Sequence, residues 1–280
     1  MKHTKSPNER RPAAPKAPAT LSDFARKKLS LLTLILALGA PLLDTLVIFP
    51  LRQIFLANST GSSLFYTVFL YLTELVNLTA FFLLLALAVY CAIADATKQL
   101  GRIIALHSVA SIFIVILLKL GVYCGLAWLD SFFILPFSLC NQTFGMLTAN
   151  GAELLNTALS LFIGQILLFA ILLIAALLAL RARQKAIARG ADLSPALLNE
   201  RYDSSPLPRT AQIGLILYAL LALANQVVDT LGTIWKAGTP DSFGTLLSLI
   251  VPYFLLAIYC LLGYLALDFG TRQIAKICAD

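Results

Sequence analysis

Six long apolar segments, separated by short polar stretches, make up most of this chain of 280 residues. They run Leu29–Leu51, Leu64–Ala94, Ile103–Leu129, Leu154–Leu180, Ile213–Trp235 and Leu246–Leu267. Each reaches the roughly 20 residues that a helix needs to cross the hydrocarbon core of a bilayer. The expected fold class is therefore all-α, a polytopic integral membrane bundle of six transmembrane helices. Composition agrees, with 59% hydrophobic and only 12% charged residues, about half the roughly 25% charged share of soluble domains. A soluble fold of this composition would have too little polar surface to wrap its core.

The formal charge of +7 raises the question of an acidic partner. Its distribution answers differently. Eight of the 21 basic residues precede the first segment: Lys2, Lys5, Arg10, Arg11, Lys16, Arg26, Lys27 and Lys28. Lys98 and Arg102 follow the second segment, Arg181 to Arg209 the fourth, and Arg272 and Lys276 the sixth. The alternate side holds only Arg52 and Lys236. This is the positive-inside pattern, and it places both termini in the cytoplasm of a multi-pass protein, expected in the plasma membrane. Nucleic acid is not an expected partner, because no aromatic residues interleave with the basic ones. The lipid bilayer is, and so are other membrane proteins.

These boundaries divide the chain into a basic, disordered cytoplasmic tail (1–28), helices one to four (29–180), a cytoplasmic linker (181–212) and helices five and six with a short tail (213–280). The first segment is expected to stay as an anchor, since its leader is long and apolar sequence resumes after Asp44. The outer connection Asp130–Glu153 is apolar in its first half, which fits either a re-entrant segment or a loop folded over the helix ends. Asn58 and Asn141 begin glycosylation sequons, meaningful only in a secretory pathway.

A gapless match links Tyr90–Ile103 to Tyr264–Ile277, and Asp44-Thr45-Leu46 recurs as Asp229-Thr230-Leu231. It hints at repeated, parallel-oriented helical hairpins. The competing explanation is that apolar helices draw on few residue types and end in basic ones. Gly121 and Gly125 form a GxxxG pair, suited to close helix packing within the bundle.

Four ionisable residues lie inside the segments: Asp44, Glu74, Lys119 and Asp229. Each costs about 2.5–3.5 kcal/mol at a helix centre, so each is expected to face a partner or a cavity. At 1.5 Å per residue all four fall in the outer half, with Asp44, Lys119 and Asp229 at similar depth. Lys119 is expected within ~4 Å of one of the carboxylates. Asn77, Asn225 and Gln165 add uncharged polar groups; Asn77 shares a face with Glu74, and Asn225 with Asp229. Pro41 removes the amide that would bond the Ala37 carbonyl. The candidate substrate or ion site is thus Asp44, Glu74, Asn77, Lys119, Gln165, Asn225 and Asp229. The plainer reading is that these groups only hold helices together.

No catalytic motif appears, and an enzyme is not expected. Five unpaired cysteines and the isolated His3 and His107 imply neither a disulfide framework nor a metal site, and no cofactor is expected. His107 reads as a satisfied side chain near the inner end of helix three. Two functions remain: a small-solute or ion permease of unknown substrate, and a non-catalytic membrane subunit or scaffold. Convergence of the charges on one cavity favours the first; scattered or outward placement favours the second.

Overall fold

The computed structural model describes residues 22–51, 64–122, 151–191, 209–237 and 243–279. They form six helices: α1 Asp23–Leu51, α2 Leu64–Ile93, α3 Thr97–Val122, α4 Gly151–Ala188, α5 Arg209–Ala237 and α6 Phe243–Ala279. All six contain stretches long and apolar enough to cross a membrane. The outer connection up to residue 150, both sequons and Gly125 lie outside the described residues, as do Cys124 and Cys140.

Several helices outrun the apolar segments. Helix α1 starts at Asp23, inside the stretch expected to be disordered, because Ser22 caps it: its hydroxyl accepts the Ala25 amide at 3.2 Å. Helix α4 continues to Ala188 and α5 begins at Arg209, so both ends of the expected linker are helical. Polar and basic residues of good helix propensity extend these ends.

Helix α2 is the axis of the molecule. From Ala80 to Ala92 every side chain except half-buried Leu83 is buried. A helix apolar on all sides is stable only when surrounded, and α2 packs against all five others. These form a ring in the order α1, α3, α4, α5, α6, closing back onto α1. Most ring helices bury one stripe, while α5 buries only Ala211 and Gly214 among its described side chains. On α6 the stripe is Tyr259, Gly263, Leu267, Gly270, Thr271, Ile274 and Cys278, while Leu261, Leu265 and Phe269 point away.

The inward stripes are rich in small residues, and the axial helix fills them with large ones. A Cβ on Gly263 would lie 2.5 Å from the Phe82 ring, and one on Gly270 would lie 2.7 Å from Leu83. A Cβ on Gly214 of α5 would lie 2.8 Å from Leu85 and 3.6 Å from Ala175 of α4. Phe82 stacks edge-on with Tyr218 of α5, ring centres 5.2 Å apart. Small residues therefore bring backbones together at these positions. Gly121 is exposed, with nothing near its missing Cβ.

The sequence match between the outer hairpins does not carry over to the backbone. Ala94–Ala96 is a turn between α2 and α3, whereas 264–277 is uninterrupted helix. Environments differ as well: Tyr90 is 1% exposed and its counterpart Tyr264 is 41% exposed. Repeated hairpins are not evident here.

Candidate functional site

Helices α1 and α3 lie side by side in the ring and run in the same direction. They are also the two described helices with π-helical turns, at Ile35–Gly39 and Asp44–Ile48 of α1 and Ala110–Leu118 of α3. In such turns each amide bonds the carbonyl five residues back, and the extra residue re-aims the side chains that follow. Pro41 gives α1 a local cause. It lacks an amide, so the regular four-residue ladder fails there, and Ala40 bonds Ile35 instead.

The two charged residues stand at the edges of these turns. Asp44 opens the second π turn of α1, and its carbonyl accepts the Phe49 amide. Lys119 directly follows the π turn of α3, its amide bonding Ile114. Their side chains meet, with the Lys119 ammonium donating to Asp44 Oδ2 at 2.9 Å. Asp44 is 3% exposed, and the Lys119 side chain 13%. Burying either charge alone costs several kcal/mol, and a close pair offsets much of that. The ammonium also lies 4.9 Å from the centre of the Phe49 ring, within cation–π range. Thr45 Oγ1 is buried beside Asp44 and has no hydrogen-bond partner among the described residues.

The other candidates divide. Asn77 of α2 and Gln165 of α4 are half-buried, and among the described residues neither bonds to the pair. Glu74 and Asp229 lie on α2 and α5, but their side chains fall outside the described residues. Asn225 is exposed on α5 and does not turn inward with the pair. One turn further along α5, Thr230 donates to the Gln226 carbonyl at 2.9 Å and accepts from the Tyr253 hydroxyl at 3.0 Å. That second polar cluster ties α5 to α6. The expected set thus yields one buried ion pair and an outward amide.

Two features escaped the sequence. Thr45 and Phe49 gave no signal of their own, being ordinary residues of an apolar run. His107 is not the satisfied interfacial side chain expected. It is 8% exposed, with Phe81 of α2 and Phe169 of α4 near its ring, centres 6.2 and 6.4 Å away. Its Nε2 is buried without a hydrogen-bond partner among the described residues. It lies twelve residues from Lys119 along α3, about 18 Å at helical rise, and is a separate feature.

No protein-family model matches this chain, nor does any curated protein or solved structure.

Proposed function

We propose that this is a multi-pass integral membrane protein that works as a small-solute or ion permease, with Asp44 and Lys119 at its transport locus. One observation carries the reading: a buried ion pair set between helices that both depart from α geometry at the charged residues. Intramembrane charges are costly and mark solute or ion pathways. Irregular turns recur at functional sites because they loosen the ladder where side chains must move.

Charge placement supports cytoplasmic termini. Arg26, Lys27, Lys28, Lys98, Arg102, Arg181, Arg183, Lys185, Arg189, Arg209, Arg272 and Lys276 all belong to the end where α1 begins. Asp23, Asp95 and Asp268 there are each paired with an arginine. The plasma membrane is the proposed location.

Flux from proteoliposomes tests the permease reading, with protons, Na⁺, K⁺, Cl⁻ and glycine as probes. At least one should move faster than through protein-free liposomes, and Asp44→Asn/Lys119→Met should cut that excess about tenfold or more, as loss of a key polar contact does. Equal rates for wild type, variant and empty liposomes with every probe would sink it.

The second reading, a non-catalytic subunit or scaffold, is favoured by Asn225. An amide facing out from an apolar helix gains a partner when another protein's helix packs there. Gly232, two turns on, also has open space around it. Photocrosslinking from position 225 in native membranes distinguishes the readings: a discrete protein adduct supports the scaffold, and lipid adducts alone count against it.

A further inference from the structure

Two described groups beside the Lys119 ammonium attract cations. The Asp44 carboxylate is 2.9 Å away, and the Phe49 ring centre is 4.9 Å away. Thr45, next to Asp44 in the chain, has a fully buried hydroxyl that lacks a hydrogen-bond partner among the described residues. An unpaired hydroxyl in such a place costs stability until something takes up its lone pairs. We propose that this locus binds a small monovalent cation, which competes with the Lys119 ammonium for the Asp44 carboxylate. The inference rests on the permease reading for why a cation reaches the site; the binding chemistry rests on the geometry.

The charge count selects the ligand class. Among the described side chains the locus has one carboxylate, and its single negative charge balances one positive charge, tethered or mobile. Ca²⁺ takes six to eight oxygens, commonly from several carboxylates, and this set is too poor for it. An anion would meet the carboxylate and the negative face of the ring. Lys119 can leave because its stem is long and flexible. A mobile cation then inherits the same carboxylate, with the Thr45 oxygen as a further ligand.

Thermal unfolding of the purified full-length protein in detergent tests the site, comparing NaCl and KCl with choline chloride at equal ionic strength. Binding to the folded state stabilises it in proportion to the logarithm of occupancy. Lys119→Met leaves Asp44 uncompensated, so its midpoint should rise by about 3 °C or more in NaCl or KCl over choline chloride. The rise should be smaller in wild type, where the ammonium competes, and absent in Asp44→Asn/Lys119→Met. No rise in either salt, or the same rise in the double variant, overturns the proposal. If Lys119→Met does not fold, the sodium-23 linewidth with wild-type protein serves instead. Broadening that the double variant abolishes supports the site, and equal broadening in both overturns it. Cation binding without flux would remove the permease reading and leave the site; flux without cation-specific stabilisation would do the reverse.

Discussion

Asp95, at φ 61°, adopts a left-handed backbone that side chains other than glycine seldom take. It ends α2 as Gly190, at φ 75°, ends α4. In both, the next amide bonds a carbonyl five residues back: Ala96 to Cys91 at 2.9 Å, and Ala191 to Ala186 at 3.0 Å. Glycine is the usual residue there because it has no Cβ. Asp95 has another task. Its carboxylate accepts from Arg183 at 2.8 Å, tying the α2–α3 turn to the end of α4. The pair is half-exposed and contributes under ~1 kcal/mol. Asp95→Ala should lose about 1–2 kcal/mol by combining the lost pair with an unfavourable backbone, and Asp95→Gly should recover most of that. Unfolding in mild detergent measures both; a glycine variant as unstable as the alanine one would make the pair dominant. At this scale the sequence was informative about Asp44 and Lys119, whose equal depth along parallel helices follows from counting residues. It was silent on Thr45 and Phe49, because side-chain direction there depends on π turns that shift the phase any periodicity argument assumes.

Among the elements, α2 differs in kind from the ring. Its core, Ala80 to Ala92, contains no charged residue, and its one hydroxyl belongs to Tyr90. That uniform apolarity is legible in the sequence and implies burial on every side. In a six-segment chain, however, lipid explains the same pattern, so the sequence does not single out the axial helix. What does is the placement of glycines on its neighbours. Gly263→Ala would put a methyl 2.5 Å from the Phe82 ring, which is also held edge-on by Tyr218. Overpacking of this kind costs about 1–3 kcal/mol, more than the ~1 kcal/mol that alanine gains over glycine in a helix. Gly121→Ala meets open space and should keep that gain. The midpoint should therefore fall for Gly263→Ala and hold or rise for Gly121→Ala. A fall of equal size in both would mean that the close fit of α6 on α2 is not what position 263 senses.

For the molecule as a whole, orientation is the property that both the chain and the fold address. Alternating charge is visible in the sequence, and the helix directions gather those residues at one end of the bundle. Helix order around the axis is not visible there, because consecutive segments do not have to be neighbours: α2 leaves the ring, so α1 and α3 pack side by side. Asp44 and Lys119 meet because of that arrangement. If the basic end is cytoplasmic, Asp44 and Lys119 lie in the outer half of the membrane, where a solute from outside reaches them first. Single cysteines in a background lacking the native ones test the orientation. Positions 98 and 189 are exposed at the basic end, and Trp235 is 91% exposed near the opposite end. In intact cells a membrane-impermeant maleimide should label a cysteine at 235 and spare those at 98 and 189, with all three reacting after permeabilisation. Moving a basic cluster across the bilayer is opposed by ~1 kcal/mol per lysine or arginine near an anionic inner surface, so a mixed population is not expected. The reverse labelling pattern would put the ion pair in the inner half and require any solute to arrive from the cytoplasm.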